Sequence, residues 1–235
     1  MNRIITKQIT TQVGSIRIPG LCCLPEESGP FSAVIVLHGS DGFQTNHRDI
    51  AERLAQAGLA AFAPTWFGGD PARPHWDHLR AEDLLMSVAD FQNQTNIPPD
   101  RTGLIGFSRG GGLALILGSL LPGTKAIVNY FGLTAWKGGL EELPLLPLNK
   151  DNPLEFVRHL TCPILSFHGD QDTVVPVNNT YALDEACHRY GVEHRYIVYP
   201  GINHSFIWEG EDKHDADAHC DSWNKTIAFL KERLL

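Results

Sequence analysis

The sequence predicts an α/β fold, a mainly parallel sheet covered by helices. Short β-branched runs alternate with segments of helical apolar period along nearly the whole chain. Runs such as Phe31–Leu37 (FSAVIVL) are continuous rather than alternating, as expected of a strand buried on both faces. Right-handed crossovers then restrict the topology to doubly wound forms.

The elements follow in order. Ile4–Thr10 and Ser15–Leu21 read as two short strands folded around Val13-Gly14, and Phe31–Leu37 as the first buried strand. A Gly-rich turn leads to a helix near His47–Ala57, stopped by Gly58, and to a short strand, Leu59–Ala63, before Pro64. Asp77–Asn93 has helical spacing at Leu79, Leu84, Leu85, Val88 and Phe91. Thr102–Phe107 is the next strand, Gly110–Leu121 a helix closed by Pro122-Gly123, and Lys125–Tyr130 a strand. Ile164–Phe167, Val177–Tyr190 and His194–Tyr199 continue as strand, helix and strand, and Ala216–Leu234 is a C-terminal helix. Leu133–Asn152, with Gly138-Gly139, Pro144 and Pro147, is the one irregular stretch and reads either as a short lid or as a surface connection.

Bulk properties narrow the function. The 235 residues, 43% hydrophobic and 20% charged, suit one ordinary globular domain over 1–235. A net charge of −8 argues against the basic face of a nucleic-acid or anionic-membrane binder. The start, MNRIITKQIT, has no apolar h-region, and no stretch reaches the roughly 18 apolar residues of a span, so a cytoplasmic chain is expected. Monomer and homodimer both remain open. Five cysteines without a C-x-x-C read as reduced thiols, with Cys22 and Cys23 pointing to opposite faces of a strand as packing residues.

The strongest chemical signal is Gly106-Phe107-Ser108-Arg109-Gly110, where an apolar strand ends and an apolar helix begins. A sharp turn there exposes Ser108, the flanking glycines avoid backbone collisions, and the helix N-terminus lays positive dipole density beneath the nucleophile. Phosphate-cradle patterns such as G-x-x-x-x-G-K are missing. A serine needs a base, and the base an orienting acid, in the chain order Ser, Asp or Glu, His. The strand ILSF runs into His168-Gly169-Asp170-Gln171-Asp172, and the last strand runs into Pro200-Gly201-Ile202-Asn203-His204. His204 is the natural base. Asp172 and Asp170 compete for the acid role, Asp170 having the alternative of capping its turn. His168 precedes a turn glycine and reads as structural.

An oxyanion hole needs two donors. The N–H of Arg109 follows the nucleophile, and Leu37-His38-Gly39-Ser40-Asp41-Gly42 offers the N–H of Ser40. Phe43, Trp66, Trp136 and Phe206, with Trp208, are candidates for an apolar pocket, with core packing as the alternative. His214 and His219 lie in EDKHDADAHCD, read as a solvated helix start because the spacing matches no common metal-ligand motif.

The strand with its HGSDGF turn, HRDIAERLAQAG followed by LAAFAPTWFGGD, the elbow GFSRGG, HGDQDTVVP and YPGINHSF together resemble the dienelactone hydrolase-like branch of the α/β-hydrolases, from about Phe31 to the C-terminus. The resemblance implies an eight-stranded, mostly parallel sheet with no large cap domain, no cofactor, and a small-molecule ester or lactone as substrate. It makes Asp172 the acid, His204 the base, and the Ser40 and Arg109 N–H groups the oxyanion donors, and it offers the Arg109 side chain as a ligand for a substrate carboxylate, with a surface ion pair as the alternative. Two positions depart together: this chain has Ser108 where dienelactone hydrolases use cysteine, and Gly39 where they place the glutamate that governs the thiol. A peptidase of the prolyl-oligopeptidase type and a non-catalytic binding member of the fold are the competing readings.

Overall fold

The computed structural model describes residues 2–27, 29–66, 80–135 and 152–235. Eight strands form one sheet: β1 (Ile4–Val13), β2 (Ile16–Pro25), β3 (Ala33–Leu37), β4 (Ala60–Pro64), β5 (Thr102–Phe107), β6 (Thr124–Tyr130), β7 (Ile164–Gly169) and β8 (His194–Tyr199). Their spatial order is β1-β2-β4-β3-β5-β6-β7-β8. β1 and β2 form an antiparallel hairpin, β2 pairs antiparallel with β4, and β4 through β8 run parallel. Val13 faces Ile16 across a two-residue turn in which Gly14 takes φ +56°, a left-handed value that favours glycine.

The helices are α1 (Thr45–Gln56), α2 (Ala81–Thr95), α3 (Arg109–Leu120), α4 (Pro153–Phe156), α5 (Asn178–Tyr190) and α6 (Ala216–Leu234). The period-2 alternation of the central strands sorts their side chains into two layers. Ile35, Leu37 and Leu104 pack with Leu84 and Phe91 of α2, Leu113 and Leu117 of α3 and Leu183 of α5. Val34, Val36, Ile105 and Phe107 pack on the other side with Ile50 and Leu54 of α1 and Trp223, Phe229 and Leu230 of α6. Cys22 belongs to the first layer and Cys23 to the second, as expected for neighbours in a strand, and all five cysteines are free thiols. Continuous apolar strands are thus required, because both faces lie under helices. The fully buried Phe62 ring stacks on Phe91 at 4.6 Å; burial of such a side chain contributes about 2–3 kcal/mol.

Element bounds differ from the sequence reading mainly at the ends. β1 and β2 each extend to 10 residues because the hairpin ladder continues to Ile4–Pro25. α2 begins at Ala81; positions 77–79 of its expected start, and most of 133–152, lie outside the described residues. None of the described helices is long and apolar enough to cross a membrane.

The strand order positions the site. From β3 the chain moves outward to β4, then crosses back to place β5 on the other side of β3. The loops leaving the C-terminal ends of β3 and β5 therefore diverge, opening the crevice in which open α/β sheets bind ligands.

Candidate active site

Ser108 sits between β5 and α3 with φ 52° and ψ −117°. A non-glycine residue at such angles stores strain, on the order of 1–3 kcal/mol, and persists only where its surroundings fix it. Here they do. Ser108 N–H donates to Tyr130 O at 3.0 Å, and Ser108 O accepts from the N–H groups of Gly111 and Leu133, each at 2.9 Å. The glycines are required by contact rather than by dihedral. A Cβ on Gly106 would stand 2.2 Å from Gly110 O, and one on Gly110 would stand 2.1 Å from Leu37 O. Arg109 opens α3, so positive dipole density of the helix N-terminus lies beside the serine.

Two loops bring the aspartate and histidine together. A Cβ on Gly169 would stand 2.1 Å from Ile202 O, so the loops after β7 and β8 touch closely. Gln171 N–H donates to Ile202 O at 2.9 Å. Asn203 Oδ1 accepts from the N–H of His204 at 2.7 Å and from that of Thr173 at 3.3 Å. In this frame His204 Nδ1 lies 2.6 Å from Asp172 Oδ2, and Asp172 Oδ1 accepts the N–H groups of Val174 and Val175 at 2.9 and 2.8 Å. With Nδ1 engaged, Nε2 is the ring nitrogen left for the cleft that His204 and Ser108 both line. Burial alone would raise the Asp172 carboxyl. Hydrogen bonds from His168, His204 and the Val175 N–H outweigh it and hold the group well below the usual carboxylate range. Asp170 takes the other role open to it, accepting the Gly201 N–H at 2.7 Å.

The β3 turn is built the same way. His38 is fully buried, stacked on Trp66 with centroids 5.0 Å apart. Its Nδ1 lies 2.9 Å from Gly39 O, and its Nε2 accepts the Trp66 N–H at 3.3 Å, so the ring is the Nδ1–H tautomer. Burial drives this histidine down to about 3. The ring braces the turn that presents Ser40 to the cleft. A Cβ on Gly39 would stand 3.2 Å from Ser108 Cβ, so position 39 directly abuts Ser108.

The cleft encloses about 640 Å³. Phe107, Phe131 and Trp208 form its apolar wall, and Asp41, Glu211, Asp212 and Lys213 its charged rim. The Phe131 ring packs edge-on against His204 at 4.6 Å, and Trp208 lies 4.8 Å from Phe107 and 5.2 Å from His47. His47 is neutral, pushed down to about 4 by burial, and its Nδ1 accepts the Gln44 N–H at the start of α1.

The expected pocket residues need correction. Phe206 is fully buried against Tyr199 and Phe131, in the layer under α6. Phe43 packs on His47 at 6.0 Å and against the core, and Trp66 is taken up by His38. None of the three lines this cleft. Apolar rings gain most by withdrawing between sheet and helices, which leaves a polar mouth. Trp136 lies outside the described residues. Phe107 and Phe131, which are not among the expected pocket residues, do line the cleft; their signal is position, Phe107 ending β5 and Phe131 directly following β6. Arg109 is buried rather than displayed at the surface, and burial lowers its guanidinium to about 10.

His219 is likewise not solvated. It is buried, with Nε2 2.9 Å from Arg53 Nη1 and Nδ1 3.1 Å from His214 Nε2, while Glu209 Oε1 stands 3.7 Å away. Glu209, His214 and His219 lie close enough together to offer three ligands to a metal. Arginine can only donate, so His219 Nε2 accepts and its proton sits on Nδ1, the nitrogen facing the other two groups. This arrangement withholds the lone pair a metal would take.

The eight-stranded, mostly parallel sheet, its flanking helices and the serine elbow define the α/β-hydrolase class. A model of the dienelactone hydrolase family matches residues 18–234, and the chain belongs to that family. Membership makes it a carboxylic ester hydrolase by class. A relative from Synechocystis sp. named as a carboxymethylenebutenolidase is 28% identical, with 98% of each chain aligned. Among solved structures, a metagenomic dienelactone hydrolase-like promiscuous phosphotriesterase superposes with a TM-score of 0.78 at 21% identity, covering 99% of both chains. The acylaminoacyl peptidase of Pyrococcus horikoshii gives a TM-score of 0.80 at 15% identity, covering 98% of this chain and 42% of that one. At these identities the structural likeness concerns the fold.

Proposed function

We propose that the protein hydrolyses small carboxylic esters or lactones through a Ser108–His204–Asp172 triad and an acyl-enzyme. The observation that carries the reading is the 2.6 Å contact of Asp172 with His204 at the cleft that Ser108 also lines from its strained elbow. Ser108 Oγ attacks the carbonyl carbon while His204 Nε2 takes the hydroxyl proton. Asp172 holds the ring in the tautomer with Nδ1–H and stabilises the imidazolium. The N–H groups of Ser40 and Arg109 receive the oxyanion: Ser40 is at the cleft, and Arg109 stands at the helix N-terminus where developing negative charge is favoured. Collapse expels the alcohol, which takes the proton from His204. Water then attacks the acyl-enzyme with His204 as base, and the acid leaves. The chemistry calls for no cofactor.

Hydrolysis of p-nitrophenyl acetate, butyrate and octanoate, with Ser108→Ala in parallel, tests the proposal. Turnover that vanishes in the variant is expected, with the shorter esters preferred in a cleft of this size. Near-wild-type activity in purified Ser108→Ala contradicts it. A higher kcat/KM on p-nitroanilides than on the esters replaces it with a peptidase reading.

A further inference from the structure

The acid has a second imidazole beside it. His168, on β7, is fully buried. Its Nε2 lies 2.8 Å from Val175 O and 3.3 Å from Asp172 Oδ2, and its Nδ1 lies 2.7 Å from Thr180 Oγ1 on α5. Two acceptors at Nε2 require a hydrogen there, so the neutral ring accepts the Thr180 hydroxyl at Nδ1. Asp172 Oδ2 thus receives N–H groups from both His168 and His204, while Oδ1 is filled by the Val174 and Val175 amides. The network runs Thr180, His168, Asp172, His204 across three chain segments. A residue that only plugged the core beneath the turn would not need a tautomer set from α5.

We propose that His168 is a positioning residue for the base: its Nε2–H aims Asp172 at His204 and draws off part of the carboxylate charge. This rests on the reading of Ser108, His204 and Asp172 as a triad. The lowering of the Asp172 carboxyl, in which the His168 hydrogen bond is the foremost opposing influence to burial, supports the geometry. Among the described residues, Glu211, from the loop after β8, is a further charged group that interacts with His204, and Asp41 and Lys213 act in turn on Glu211. None of these three is altered in the test below.

Removing the His168 donor leaves the carboxylate to His204 alone, and protonated His204 is then held more strongly. For His168→Leu, the acid limb of the kcat/KM profile should move up by about half a pH unit, with kcat down about tenfold and KM little changed. His168→Gln, which keeps a donor for Asp172 and an acceptor for Thr180, should restore most of both. Thr180→Val retains the ring while removing its Nδ1 partner, and should shift the limb in the same direction by less. If His168→Leu does not fold, the Gln and Val variants carry the test. Profiles that superpose on wild type after scaling, with only stability reduced, overturn the proposal and leave the triad standing. Ser108→Ala run alongside separates the two: if it keeps activity, the triad itself is wrong.

Discussion

Asp170 Oδ1 accepts the Gly201 N–H at 2.7 Å, so two aspartates in one turn serve the same histidine loop differently. Asp170 ties down the backbone of the loop, while Asp172 takes the His204 ring. Asp172→Asn should therefore lower kcat on p-nitrophenyl butyrate by about 10³- to 10⁴-fold, since the ring loses its tautomer. Asp170→Ala should keep activity within about tenfold and cost about 1 kcal/mol in urea unfolding. The reverse ranking would exchange their roles.

The strain at Ser108 separates stability from activity. Glycine adopts φ 52° without penalty, offset in part by its larger unfolded-state entropy. Ser108→Gly should thus be about 1 kcal/mol more stable than Ser108→Ala, with both inactive. Equal urea midpoints for the two would mean the elbow is unstrained.

Two neutral histidines buried under the β3 turn set an acid limit on stability. Burial depresses His38 to about 3 and His47 to about 4, both below the ordinary 6.5 of the unfolded chain. Below pH 6.5 the unfolded chain takes up protons that the folded one refuses. The stability is fully present above that value and declines as pH falls toward 4, by up to about 1.4 kcal/mol per pH unit for each ring. Asp172, depressed in the fold, adds a further loss once pH drops below the ordinary carboxylate range. Urea midpoints measured from pH 7 to 4.5 should trace this decline, and His47→Gln should flatten it by one histidine's share. A flat profile would contradict neutral burial.

Charge at the mouth bears on the substrate. Asp41, Glu211 and Asp212 face a single Lys213 among the described lining residues. A p-nitrophenyl ester with a terminal carboxylate should show a KM several-fold above its neutral analogue at 10 mM salt, with the gap narrowing by about 0.15 M as the rim is screened. A lower KM for the anionic ester would place an unopposed cation at the acyl site.

Much of this was legible from residues alone, for definable reasons. β3 and β5 are buried on both faces, so β3 is continuously apolar and β5 is so after Thr102, and the glycines that follow or end them coincide with loops that must bend sharply. The elbow was legible because Gly106 and Gly110 are demanded by contacts under 2.5 Å. By position alone Asp170 and Asp172 compete, since the choice depends on the loop after β8; the resemblance, not the spacing, points to Asp172. The pocket rings misled because composition does not say whether an aromatic faces a cleft or the layer behind it. Phe206 and Trp208 are two residues apart, yet one is sealed in the core and the other lines the cleft. Nothing in the sequence links His168 to Thr180, which belongs to another element, and the buried His219 reads as solvated because its partner Arg53 also lies on another element.

The central claim is that Ser108 is an activated nucleophile, and the most direct measurement is covalent labelling with a fluorophosphonate probe, mapped by peptide mass spectrometry. The account predicts one equivalent of label, carried on Ser108, formed far more slowly in His204→Ala and not at all in Ser108→Ala. Folded protein that takes up no label, or takes it up at another residue, would contradict it.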